Sequence, residues 1–188
     1  MSYISDFKSV PFSLFGVNGG VTSTDASTAT MVGQKFQSSD GREFVLIQNA
    51  GVALVAGNLI QGPVSIGANH TGMTLSTAAI GATTITATLG ATAVTANQYQ
   101  GGYLVVSAGT GLGQTLKIAS HPAAALSATV VLTLEDPLSV ATLTSDSKGS
   151  LTLNPYGSQY GADYRTSGCV ISPTTATGPS IGVTITPI

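Results

Sequence analysis

Two histidines, one cysteine and eight carboxylates carry whatever acid–base, nucleophilic or metal chemistry this chain of 188 residues can perform. A zinc site needs three or four His, Cys or carboxylate ligands, usually with a short-spaced pair among them. His70, His121 and Cys169 are far apart and show no such spacing. Both histidines sit beside turn residues and read as solvated loop side chains. A serine hydrolase places its nucleophile in G-x-S-x-G on a strand-to-helix turn, and Gly62-Pro63-Val64-Ser65-Ile66-Gly67 spaces its glycines wrongly for that. Gly109-Thr110-Gly111-Leu112-Gly113 has the look of a phosphate loop. It lacks the third glycine of G-x-G-x-x-G, and a strand pattern follows it where a helix N-terminus would have to bind the anion. It therefore reads as a hairpin loop. Glu135 and Asp136 are adjacent, so on a strand they point to opposite faces and cannot act together on one substrate. Asn69-His70-Thr71 matches a glycosylation sequon by chance, since no secretory signal accompanies it. Tyr156, Tyr160 and Tyr164 recur every fourth residue with Gly157 and Gly161 between them. They form either a sugar-binding aromatic patch or a loop pinned by tyrosine packing. These residues lead us to expect no catalytic residue, no metal ligand and no cofactor, and hence a protein that is not an enzyme.

The elements that would hold these residues have a period of two. In Thr84–Leu89, Ile85, Ala87 and Leu89 share one face and the threonines the other. Val130, Leu132 and Leu134 oppose Val131, Thr133 and Glu135 in the same way. Ile181, Val183 and Ile185 oppose Gly182, Thr184 and Thr186. Such alternation marks half-buried strands, and β-branched Thr and Val suit a pleated surface. Further strands are expected at Tyr103–Ser107, Thr115–Ala119 and Ser150–Leu153. Turn signals stand between them at Asn18-Gly19-Gly20, Asp40-Gly41, Gly101-Gly102, His121-Pro122, Asp136-Pro137 and Asn154-Pro155-Tyr156-Gly157. Ala123–Ala128 and Thr77–Gly81 are long enough for a single helical turn each. The fold class expected is all-β: an antiparallel β-sandwich or β-barrel of short strands with an extended N-terminal arm.

Length and composition suit one domain, or one domain with an arm. We divide the chain into an arm and polar link over residues 1–38, a β-domain over 39–175 and a C-terminal strand or tail over 176–188. Only 7% of the residues are charged, where soluble domains average about 25%. A net charge of −2 with six scattered cations is the wrong footprint for a nucleic-acid partner. No apolar run approaches the length of a membrane-spanning helix, so no membrane partner is expected. From Phe44 to Leu116 there is no Asp, Glu, Lys or Arg at all. A free monomer uses charge to blunt sheet edges and stay soluble. The stretch points to surface covered by other subunits, in a closed cyclic oligomer such as a homo-trimer or dimer. A Thr/Ser surface that is polar enough by itself is the other explanation.

The N-terminal segment differs from the rest. Phe7, Phe12 and Phe15 are three of the five phenylalanines, and with Leu14 they lie in a Pro/Ser/Gly-rich stretch without period. Val21–Thr30 is low-complexity and polar. These four residues are the candidate interface: the arm docks on a neighbour, or it folds back over its own β-domain.

Several segments carry a resemblance. They are Gly81–Gly90 (GATTITATLG), Ala96–Leu104 (ANQYQGGYL), Gly111–Pro122 (GLGQTLKIASHP), Thr133–Leu138 (TLEDPL), Asn154-Pro155-Tyr156 and Asp40–Phe44 (DGREF). Together they resemble a family of structural proteins of tailed bacteriophages. The resemblance implies a virion component, in particular a capsid decoration or cement protein that bridges subunits of the major capsid protein. It implies synthesis in the host cytoplasm and a place on the capsid exterior, and it brings no catalytic residue with it. The alternative is a tail-fibre or baseplate-associated β module that contacts a host glycan through its tyrosines.

Overall fold

The computed structural model describes residues 32–33, 35–37, 43–50, 54–64, 66, 71–157, 168–175 and 178–184. Its strands are β1 (Lys35–Gln37), β2 (Glu43–Val45), β3 (Leu59–Gln61), β4 (Met73–Thr74), β5 (Thr84–Thr88), β6 (Tyr103–Ala108), β7 (Thr115–Ser120), β8 (Thr129–Leu134), β9 (Lys148–Thr152), β10 (Val170–Ile171) and β11 (Ser180–Val183). No helix occurs among the described residues. The protein is all-β, as its alternating pattern predicts.

The described residues fall into two compact units. One, within residues 64–154, is built on a six-stranded sheet in the order β4-β9-β6-β7-β8-β5, every pair antiparallel. The sheet curls until its two edges meet. Leu75, just past β4, bridges to Ala87 of β5, and the Ser76 N–H donates to Thr86 O at 2.8 Å. The result is a nearly closed barrel, which leaves little unpaired edge. Bulges between Val106 and Ala108 and between Ile118 and Ser120 sharpen the local bend. Alternate residues point inward, as the period of two dictates. Ile85 and Ala87, Leu104 and Val106, Leu116 and Ile118, Val130, Leu132 and Leu134, and Leu151 fill one continuous core with Leu75, Leu89, Val94, Tyr99 and Leu138. The outer wall is mostly threonine: Thr84, Thr88 and Thr129 are exposed.

The other unit contains a three-stranded antiparallel sheet, β10-β3-β11, and the antiparallel pair β1–β2, in register from Lys35↔Val45 to Gln37↔Glu43. Strand β11 departs from simple alternation. A register shift between Ser180 and Gly182 turns Val183 outward, while Thr184 is buried and bonded through its hydroxyl to Val55 O. One extra residue reverses every side chain beyond it.

Cys169 lies in this unit, beside Asn49 in a parallel bridge. The Ala50 N–H donates to its carbonyl at 2.9 Å. The free thiol is fully buried, and burial pushes its pKa up to about 12. Thiolate is the reactive form, so Cys169 is expected not to react with a disulfide reagent at pH 8 in the folded protein, and to give one equivalent after denaturation. One rapid equivalent from the native protein would contradict this placement.

Candidate functional site

Antiparallel pairing gathers three loops at one end of the barrel: residues 75–83 between β4 and β5, 109–114 between β6 and β7, and 135–147 between β8 and β9. Long-range hydrogen bonds staple them to one another. The main chains of Ala78 and Thr142 pair in both directions at 3.1 and 2.9 Å, and Gly81 N–H donates to Leu138 O at 2.8 Å. Thr77 and Thr144 cap each other: each backbone N–H donates to the other's hydroxyl, at 2.8 and 3.0 Å. The Asp146 carboxylate accepts from the Thr110 N–H and hydroxyl at 3.1 and 2.8 Å. The Ser147 hydroxyl donates to Thr110 O at 2.6 Å. Gln114 uses its whole amide. Oε1 accepts from the N–H groups of Ser139 and Val140, both at 3.0 Å, and Nε2 donates to Val140 O at 2.9 Å.

The Gly109–Gly113 motif takes its meaning from this network. Gly109 has φ +76, and a Cβ there would meet the backbone of Asp146 and come within 2.8 Å of Ser147 N. The glycines therefore let the β6–β7 loop lie against the β8–β9 loop.

On this braced scaffold stand four large apolar side chains that the barrel does not bury: Ile80 (69% exposed), Leu112 (67%), Val140 (46%) and Leu143 (41%). The three loops hold Glu135, Asp136 and Asp146 but no Lys or Arg. Glu135 reaches down the wall to Lys117 at 2.9 Å. Apolar side chains held in water by a rigid frame lose little conformational entropy when covered, which suits the frame to binding a partner surface.

The residues with catalytic potential lie apart. Glu135 and Asp136 both lie past the end of β8, in the β8–β9 loop, and Glu135 is ion-paired to Lys117. His121 corrects the sequence reading. It is 4% exposed, not solvated, because Tyr99 packs against its ring and both its nitrogens bond to backbone. Tyr156 is half-buried, with its ring against Gly33, where a Cβ would come within 2.9 Å of the ring. His70, Tyr160, Tyr164 and the candidate interface residues Phe7, Phe12, Leu14 and Phe15 lie outside the described residues. Among the described residues no group of three His, Cys, Asp or Glu could hold a metal ion. A cleft of about 330 Å³ between β4 and the end of β5, lined by Thr71, Thr74, Thr88 and Leu89, carries no titratable side chain.

Sequence reasoning missed Gln114, Asp146, Thr77 and Thr144. Their partners lie 25, 36 and 67 residues away, and no local motif marks such pairs. No protein-family model matches the chain, and no curated protein or solved structure matches it either.

Proposed function

We propose that the chain is a non-enzymatic structural protein of a bacteriophage virion, seated on the capsid exterior, where it bridges major-capsid subunits and stabilises the shell. The observation that carries this reading is the braced barrel end with Ile80, Leu112, Val140 and Leu143 exposed on it. A cement protein adds buried area across subunit junctions. An interface of about 800 Å² per partner, repeated over a lattice, resists internal pressure without any one contact being strong. The uncharged run from Phe44 to Leu116 covers two of the three loops, so docking there desolvates few charges. Self-association into a trimer or dimer, with Phe7, Phe12, Leu14 and Phe15 anchoring the arm on a neighbour, belongs to the same proposal.

Antibody labelling of intact virions tests it. Label spread over the head supports the proposal. Label confined to the tail supports the glycan-contacting fibre module, and unlabelled particles refute both. The combined variant Ile80→Ser, Leu112→Ser, Val140→Thr, Leu143→Ser should fold normally but bind undecorated capsids about 100-fold more weakly. That is about 2.7 kcal/mol, a modest share of the roughly 6–12 kcal/mol that four buried apolar side chains would supply together. Unchanged occupancy would place the capsid contact elsewhere on the chain.

A further inference from the structure

We propose that His121 is an acid-operated latch at the opposite end of the barrel: neutral, it holds Tyr99 as a buried plug, and protonation releases the loop of residues 95–102. The geometry fixes one tautomer. Nε2 accepts the Tyr99 backbone N–H at 2.9 Å, so the ring proton sits on Nδ1 and is donated to Pro122 O at 2.9 Å. A second ring proton would set Nε2–H against the Tyr99 N–H, two donors facing each other across a buried contact. The rest of the loop depends on the same residue. Asn97 N–H donates to His121 O at 2.9 Å, and His121 N–H returns to Asn97 Oδ1 at 3.0 Å. Asn97 is held at φ 58, a conformation that such reciprocal bonds stabilise. Tyr99 is 1% exposed and its ring lies 5.8 Å from that of His121, so the tyrosine moves if the imidazole moves.

Among the described residues, no charged side chain is paired with His121 to compensate a second ring proton. Tyr99 is the titratable group in ring contact with His121, and burial holds its phenol neutral by raising its pKa. Residues 89–102, 118–128 and 149–154 contain no Asp, Glu, Lys or Arg. On β7 the nearest charge in sequence, Lys117, is paired with Glu135 on the outer wall. Burial lowers the His121 pKa, and the bond to Pro122 O offsets only part of that. A histidine whose pKa is lower in the closed state binds its proton preferentially when the loop is open. The latch is therefore fully engaged above the ordinary histidine pKa of about 6.5 and loosens as pH falls below it, until the closed-state pKa is reached. This inference is independent of the capsid reading.

Amide hydrogen exchange by NMR on the full chain, between about pH 7.5 and about pH 5, tests the latch once rates are corrected for intrinsic exchange. The Tyr99 protection factor should fall about tenfold or more, while those of Ile118 and Leu132 hold. His121→Gln, which keeps a neutral donor and acceptor, should leave Tyr99 protection flat with pH. Constant Tyr99 protection in the native chain overturns the proposal. So does an equal fall at Ile118 and Leu132, or the same fall in the glutamine variant. Should that variant not fold, the ring nitrogen shifts of native His121 decide: a protonated Nε2 while Tyr99 stays protected refutes the latch.

Discussion

Alanine at Gly102 is expected to destabilise the barrel by about 3 kcal/mol, the upper part of the range for overpacking a well-filled interior. Gly102 is buried immediately before β6, where that strand lies against the end of β9. A Cβ there would overlap the carbonyl oxygen of Thr152 and sit 2.9 Å from Leu153 C and 3.0 Å from Asn154 N. All three are main-chain atoms, and Thr152 forms the last pair of the β6–β9 ladder with Tyr103, so its carbonyl cannot step aside without disturbing strand pairing. Gly149 on β9 is the useful comparison. A Cβ there meets only side-chain methyls, 2.8 Å from Leu75 Cδ2 and 2.9 Å from Leu104 Cδ1, and leucine ends can shift rotamer. Gly149→Ala should therefore cost clearly less than Gly102→Ala. Thermal unfolding followed by circular dichroism measures both. For a chain of this size about 3 kcal/mol lowers the midpoint by about 6–12 °C. A Gly102→Ala midpoint within about 2 °C of the parent would show that the strands are not as close as described.

The contrast between those glycines shows where reading the sequence stops. Gly101-Gly102 announces a turn before a strand, and a turn is there. Nothing in the pair says that the second glycine is required by a backbone about 50 residues further on. The same limit separates the fold from the site. Alternation is a local property, so Ile85, Ala87, Val130, Leu132 and Leu134 could be assigned to the interior from their own strands. Whether six strands close on themselves depends on Leu75 meeting Ala87, and that is a matter of register and curl. The hairpin reading of Gly109–Gly113 rested on the missing third glycine and the strand after it, both local facts. That this hairpin lies against Asp146, and that Leu112 at its tip joins Ile80, Val140 and Leu143 at one end, follows only from the closed sheet. His121 departs from its sequence expectation for a related reason. The turn beside it signalled exposure, but the side chain is covered by Tyr99, 22 residues earlier. The register shift in β11 likewise turned Val183 outward against its alternation.

Two neighbours on β8 give the sharpest test of the closed barrel. Leu132→Ala is expected to cost about 2–5 kcal/mol, and Val131→Ala only about 0.5 kcal/mol. The residues are adjacent, equally apolar, and on the same strand, which pairs with β5 on one side and β7 on the other. Propensity therefore treats them nearly alike. Their surroundings do not. Leu132 is fully buried and sits opposite Ile85, whereas Val131 is 46% exposed and sits opposite Thr86. Removing the leucine side chain leaves a cavity that a ladder fixed on both sides cannot collapse to fill, so the lost contacts add to the lost transfer energy. Removing two methyls from Val131 uncovers nothing. Urea unfolding at constant slope reads both numbers directly. In an open or slipped sheet, a shift of one residue would exchange the two faces and with them the two costs. Equal losses, or a larger loss at Val131, would therefore exclude the register described here, and with it the convergence of the three loops on which the proposed docking surface depends.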